Sequence, residues 1–238
     1  MGIRRFKPAN ILQKSTVLII GKRNRGKSTL AADLLRHFKC PKAVIFSATD
    51  DCSGFYKQYF NPNYIFSEYD TDTLRNIIDL QKSFVKNSND FTKNGLLLVI
   101  DDTGFDKKFL NSKELFEIVL NGRHLLISVV IMLQDPVSMP LSMRGQMDYV
   151  MSLGESFPIN KERLYRWFFG VFSSLKSFSE CFDKVTENFG CMILDNTRRE
   201  FKTPDDCIFH YKAVPNLKYK FGSKEYRNLH QNKKSRSK

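Results

Sequence analysis

The sequence predicts an α/β protein with a mostly parallel central sheet flanked by helices. Three observations carry that prediction. Gly21-Lys22-Arg23-Asn24-Arg25-Gly26-Lys27-Ser28 fits G-x-x-x-x-G-K-[ST], with the apolar run Val17-Leu18-Ile19-Ile20 before it and a helix-forming stretch at 29–38 behind it. Further short apolar runs, among them 43–46 and 96–100, alternate with segments of helical period, the rhythm of βαβ units. At 238 residues the chain can bury one sizeable core and has little length left for a second.

The run at 17–20 is apolar throughout, as a strand buried on both faces must be. In the turn after it, glycines let backbone N–H groups close around phosphates, and the N-terminus of the following helix adds partial positive charge. Lys27 has the reach for β- and γ-phosphates, and the Ser28 hydroxyl suits Mg²⁺. Gly21, Lys22, Arg23, Asn24, Arg25, Gly26, Lys27, Ser28 and Thr29 are therefore the expected nucleotide contacts. Residues 43–46 read as a second strand, closed by a polar cluster at 47–53, and 64–66 as a further short one. From Thr71, Leu74, Ile77, Ile78, Leu80, Phe84 and Val85 keep helical spacing, with Thr71 or Asp72 as the cap. Residues 87–95 read as a polar loop, 96–100 as an apolar strand and 112–120 as a helix. A strand at 125–133 ends in Gln134-Asp135-Pro136, and 148–153 forms a further, shorter one. Beyond Gly154, Leu164, Trp167, Phe168, Val171, Phe172, Leu175, Phe178 and Phe182 recur every three or four residues and predict one long amphipathic helix. Residues 191–194 and 207–211 read as two late strands. The expected organisation is a single domain over 1–226, with a helical and strand extension from about 155, and a basic, disordered tail over 227–238.

The formal charge of +13, from 38 Lys and Arg against 25 Asp and Glu, favours polyanionic partners, nucleic acid or an acidic lipid surface. No apolar run approaches the ~20 residues that span a bilayer, so no membrane span is expected. The first seven residues carry basic side chains without the apolar stretch of a secretion signal, and Phe6 stands where a myristoylation signal wants Ser or Thr. A cytoplasmic location is expected. Cys40, Cys52, Cys181, Cys191 and Cys207 form no C-x-x-C pair and read as reduced thiols. No base-reading motif stands out, so any nucleic-acid binding should be sequence-neutral, with the Arg4-Arg5-Lys7 arm and the tail at 233–238 as candidate contacts.

A phosphate loop holds a triphosphate, but hydrolysis also needs a metal-binding carboxylate and a group that orients or deprotonates water. The run Leu96-Leu97-Leu98-Val99-Ile100 ends in Asp101-Asp102, and a buried parallel strand carries its terminal carboxylates to the sheet edge where such folds bind ligands. Asp101 is the expected Mg²⁺ ligand and Asp102 the group that polarises the attacking water. Gln134 ends the next long strand, where an amide can bond both the γ-phosphate and the water. Arg123 and Arg144 bracket that strand, and each reads either as a surface arginine or as a guanidinium for charge on the transferring phosphoryl group.

Taken with Gly122-Arg123-His124 before its apolar strand, these motifs resemble the FtsK/HerA superfamily of P-loop ATPases. Within it the chain is similar to the poxvirus-type genome-packaging ATPases of large DNA viruses and virophages. Met192-Ile193-Leu194-Asp195-Asn196, Phe209-His210-Tyr211-Lys212-Ala213 and Phe221-Gly222-Ser223-Lys224-Glu225 resemble that viral branch too, so the likeness runs from about Val17 to Tyr226. The resemblance implies a P-loop NTPase sheet in which the Gln134 strand lies between the Walker A and Walker B strands. It also implies Arg123 as a finger in the neighbouring subunit's site and Arg144 as a second sensor. Cellular members usually carry Glu where this chain has Asp102. The implied activity is Mg-dependent ATP hydrolysis in a homo-oligomeric ring that drives double-stranded DNA into a preformed capsid, with capsid proteins as partners and the host cytoplasm, or the virion, as location. The residues alone leave two rivals open, a nucleoside-type P-loop kinase and a non-hydrolysing nucleotide-gated DNA-binding module.

Overall fold

The computed structural model describes residues 2–102, 106–198 and 202–229. Its strands are β1 (Arg4–Arg5), β2 (Thr16–Ile20), β3 (Lys42–Ser47), β4 (Ile65–Phe66), β5 (Leu96–Asp101), β6 (Ile127–Leu133), β7 (Tyr149–Leu153), β8 (Gly190–Asp195) and β9 (Ile208–Lys212). The helices are α1 (Lys27–Leu35), α2 (Asp50–Ser53), α3 (Thr71–Asn87), α4 (Phe91–Asn94), α5 (Lys107–Leu110), α6 (Lys113–Asn121), α7 (Leu141–Arg144), α8 (Pro158–Trp167), α9 (Leu175–Thr186), α10 (Pro204–Cys207) and α11 (Lys224–Asn228). The strands join one sheet in the order β1-β9-β8-β7-β2-β6-β5-β3-β4. From β7 to β4 every pairing is parallel. β8 runs antiparallel to both its neighbours, and β1 pairs parallel with β9 at the edge.

Every residue of β2, β5, β6, β7 and β8 is buried, which is why these strands read as mostly apolar runs instead of alternating ones. One face of the sheet, with Leu18, Ile100, Val129 and Ile131, packs against Leu74 and Ile78 of α3, Leu115 and Ile118 of α6, and Phe178 and Phe182 of α9. The other face, with Val17, Ile19, Val99 and Val130, packs against Leu30, Ala31, Leu34 and Leu35 of α1 and against Tyr56, Tyr59 and Phe60. Each fully buried Leu, Ile or Val contributes about 1.5–3 kcal/mol, so the two layers hold the central strands rigidly. β6 lies between β2 and β5, as the resemblance implied. The C-terminal ends of these three parallel strands therefore stand side by side, and the loops that follow them converge on one rim.

The long helix expected beyond Gly154 is two helices, α8 and α9. Ser174 starts the second through a capping box: its hydroxyl accepts from Ser177 N at 3.1 Å, and its own N–H donates to Ser177 Oγ at 3.3 Å. The three-and-four spacing survives the break because Phe169, Phe172, Phe178 and Phe182 pile into one aromatic cluster from both sides of it. Asp70, and not Thr71 or Asp72, caps α3, accepting from the N–H groups of Asp72 and Thr73. The polar loop expected at 87–95 contains the short helix α4, capped by Asp90. β1 escapes sequence reading because its two exposed arginines carry no burial pattern. α11 takes in Arg227, the first residue of the expected tail, while residues 230–238, including the candidate contacts at 233–238, lie outside the described residues.

Candidate nucleotide site

β2 ends at Ile20, and Gly21 turns off it with its N–H bonded to Leu133 O of β6 at 3.0 Å. A Cβ at Gly21 would stand 2.7 Å from the Leu153 side chain, so only glycine fits at this close approach. Gly26 has φ +90°, a left-handed turn from which α1 springs at Lys27 with no side-chain cap. Among the described residues the first N–H groups of α1 are thus left without a side-chain cap at the rim.

Lys22, Arg23, Asn24, Gly26, Lys27, Ser28 and Thr29 line one side of a cavity of about 590 Å³, and Thr49, Ser53, Asp101, Asp102 and Gln134 line the rest. Lys27 Nζ stands 3.7 Å from Asp102 Oδ1. The Gln134 amide donates to both Asp102 oxygens, at 2.6 and 2.7 Å. Asp101 is buried; its Oδ2 accepts from the Tyr56 hydroxyl at 3.0 Å, while its Oδ1 has no hydrogen-bond partner among the described residues. Burial pushes the Asp101 carboxyl above its ordinary range, against the opposing pull of Lys27 and the Tyr56 bond. Burial, and then Asp101 itself, hold the Tyr56 hydroxyl well above the usual phenol range. Tyr69 braces the same corner by donating to Asp101 O at 2.5 Å, and burial raises its hydroxyl to about 12.

Gly21 and Arg25 do not line this cavity. The Arg25 guanidinium donates to Ser156 Oγ at 2.7 Å. Lys22 lines it with an ammonium that pairs with Glu155 at 2.8 Å and sits over the Phe157 ring at 3.7 Å, so the phosphate loop is pinned to the segment after β7. Although burial works to raise the Glu155 carboxyl, its bonds to Lys22, Phe157 N and Asn160 hold it below the ordinary range. Arg123 precedes β6 and pairs with Asp148, which precedes β7, so it lies at the rim opposite its own cavity. Arg144 also stays clear of the cavity, donating from Nε to Met139 O at 3.0 Å with its guanidinium 3.7 Å over Trp167. Sequence reasoning missed Thr49, Ser53, Tyr56 and Tyr69. For Thr49 and Ser53 the signal was present, since the polar cluster at 47–53 leaves β3 on the same rim as Asp101, its partner being Ser47.

Phosphate loop, acidic strand end and glutamine sharing one cavity at the rim of a parallel sheet define a P-loop NTPase site. The chain belongs to the poxvirus A32 protein family, whose model matches residues 3–163. It is 31% identical over 223 residues to the uncharacterized protein L437 of Acanthamoeba polyphaga mimivirus, covering 90% of this chain and 78% of that one. It is also 31% identical over 233 residues to the uncharacterized protein 088R of invertebrate iridescent virus 3, covering 92% and 87%. Among solved structures, the fold is similar to the genome packaging NTPase B204 of Sulfolobus turreted icosahedral virus 2 in complex with ATPγS. That match has a TM-score of 0.61 at 14% identity and covers 85% of this chain and all 100% of that one. The pCW3 conjugation coupling protein TcpA with ATPγS follows at TM-score 0.57 and 11% identity, covering 85% and 60%. Among the described residues no helix is long and apolar enough to cross a membrane.

Proposed function

We propose that this chain is an ATPase that drives double-stranded DNA into a preformed viral capsid, working as a homo-oligomeric ring with capsid proteins as partners at the assembly site in the host cytoplasm. The observation that carries this reading is the single cavity where Lys27, Ser28, Asp101, Asp102 and Gln134 meet. Membership of the poxvirus A32 family, relatives in two large DNA viruses and the fold shared with the B204 NTPase support it.

In this reading the loop from Gly21 to Thr29 cradles the triphosphate, with Lys27 on the β- and γ-phosphates. Ser28 and Asp101 hold Mg²⁺. Asp101 Oδ1, unpartnered among the described residues, and an all-oxygen donor set fit a small, hard cation that keeps several waters. When bound, the metal neutralises charge that builds on the phosphates. Asp102 polarises the attacking water and Gln134 orients it. Asp102 is the partner of both Lys27 and Gln134, so a triphosphate on Lys27 competes with Asp102 for the ammonium. Binding thereby frees the carboxylate that the reaction needs. Arg123, at the rim opposite its own cavity, serves the neighbouring subunit as the finger, and Arg144 acts as a second sensor. Residues 1–226 work as one ATPase domain, and DNA is held through its phosphates without regard to sequence, so affinity falls steeply with salt.

ATP hydrolysis, measured with and without duplex DNA across protein concentration, tests the reading. Turnover per subunit should rise with assembly and with DNA, and Lys27→Ala should abolish it while the thermal melt stays intact. Undiminished turnover in Lys27→Ala removes the site assignment. Nucleoside phosphorylation in place of phosphate release makes the chain a kinase, and no phosphate release under saturating Mg·ATP makes it a binding module.

A further inference from the structure

Thr29 lines two cavities at once. One is the cavity of the phosphate loop; the other, of about 350 Å³, opens beyond it between α1, the segment after α2 and residues 214–218. We infer that this second cavity receives the base and ribose of the nucleotide, an inference that rests on the first cavity being the triphosphate site. Thr29 is the second residue after the lysine of the loop, so a chain of phosphates lying along the start of α1 leaves its nucleoside end facing this opening.

The walls have the required chemistry. Phe55 and Tyr59 meet edge to face with ring centroids 5.6 Å apart, and Tyr59 stacks on Tyr219 at 4.6 Å. Leu217 is a further apolar part of the lining. Gln58 and Asn216 add amides, which donate and accept hydrogen bonds as a purine edge demands. The volume lies within the range of small-molecule sites, about 300–1,000 Å³.

The wall at 214–218 is fastened in place. Asp33, fully buried on α1, accepts from the Tyr211 hydroxyl at 2.6 Å and from Val214 N at 2.7 Å. The Tyr219 hydroxyl donates to Ala32 O at 2.9 Å, Phe221 N donates to Tyr59 O at 2.8 Å, and Lys220 Nζ donates to Gln58 O at 2.7 Å. The late motifs at 209–213 and 221–225, which the triphosphate chemistry leaves without work, are the two ends of this wall. A slot built in advance loses less freedom when a base enters it. The alternative aromatic side of the loop is less suited. The Phe157 ring already carries the Lys22 ammonium at 3.7 Å, and Phe189 is 63% exposed. Neither lines the two cavities that meet at Thr29.

Binding of two probes, Mg·ATP and Mg·tripolyphosphate, to wild type, Phe55→Ala and Leu217→Trp separates the two cavities. Wild type should bind ATP more tightly than tripolyphosphate. Both variants should lose about tenfold or more in ATP affinity and keep that for tripolyphosphate, because base stacking on an aromatic is the interaction removed or blocked. Unchanged ATP affinity, or equal losses for both probes, overturns the inference. Wild type that binds neither probe overturns the triphosphate reading and this inference with it. Photolabelling of the wild-type chain with 8-azido-ATP needs no variant: label on 55–59 or 214–219 supports the slot, and label confined to 155–157 or 187–190 refutes it.

Discussion

Gln134→Ala separates a reactive role from a structural one, because the amide is bonded to the group whose chemistry it is proposed to assist. The wild-type amide makes two hydrogen bonds to Asp102, and bonds to a charged group are worth about 1.5–3 kcal/mol when their loss strands it. Here the loss is smaller, since the Asp102 side chain is 22% exposed to water and keeps Lys27 at 3.7 Å. A stability loss of about 1 kcal/mol is expected, which for a chain of this size lowers Tm by roughly 2–4 °C. The kinetic effect is expected to be much larger. Removing one donor aimed at the reacting centre typically costs about 2.7–4 kcal/mol of transition-state stabilisation, or about 10²–10³ in kcat. Phosphate release by the assembled protein at saturating Mg·ATP, a thermal melt and the Kd of a non-hydrolysable ATP analogue give the three readouts. The expected pattern is a kcat lower by at least about a hundredfold, a small drop in Tm and an affinity within about threefold of wild type. A kcat within threefold of wild type beside a large drop in Tm would make Gln134 a strut for the acidic corner and refute its part in the reaction.

Asp101→Asn should remove the stabilisation that Mg²⁺ confers while leaving the metal-free protein as stable as wild type or more so at neutral pH, because a buried charge is gone. The sign follows from the raised native carboxyl: its contribution to stability is present below the ordinary carboxylate range and is lost as pH rises through the raised value. The Tm advantage of the variant without Mg²⁺ should therefore widen with rising pH, and a gap independent of pH would refute the account. Arg123→Ala should lower the ATPase rate of the assembled protein by about 10³–10⁵. Losing the pair with Asp148 should cost about 1–3 kcal/mol, since the arginine is 66% exposed but Asp148 is buried and keeps its bond from Thr16 N. Mixing it with Lys27→Ala should restore part of the rate, because some interfaces then combine an intact loop with an intact finger; no recovery across mixing ratios would show that Arg123 does not act across subunits.

The central strands were readable in the sequence because burial on both faces leaves them few polar positions; 96–100 and 125–133 differ from β5 and β6 only at their ends. The loop residues and the Asp pair were readable because their chemistry is local. Strand order is not local, and β6 entered the centre of the sheet through family resemblance. The break between α8 and α9 was hidden because the same apolar spacing arises when α9 and the segment that joins it to α8 press their aromatics into one cluster. Tyr56 was hidden for another reason: it lies 45 residues from the Asp101 carboxylate it bonds, and nothing near it in the sequence announces that partner. The pairing of Arg123 with Asp148 is likewise a contact made only by the register of β6 and β7 across β2.

The Asp-Asp strand end, where cellular members usually carry Asp-Glu, raises the question of how a short side chain reaches the site. Along a strand, successive side chains alternate between faces, so Asp101 and Asp102 would point apart if β5 simply continued. Asp102 instead adopts φ +59°, with its N–H held by Met132 O at 3.0 Å. A left-handed residue costs roughly 1–2 kcal/mol, and Asp is among the residues that tolerate it. The turn breaks the alternation, and both carboxylates line the same cavity. The missing methylene is made up by the backbone: the reversal carries the Asp102 carboxylate into contact with the Gln134 amide and to within 3.7 Å of Lys27. Lengthening the side chain to Glu at an unchanged backbone would push the carboxylate past the amide that aligns it, so the Asp and the left-handed turn make one device.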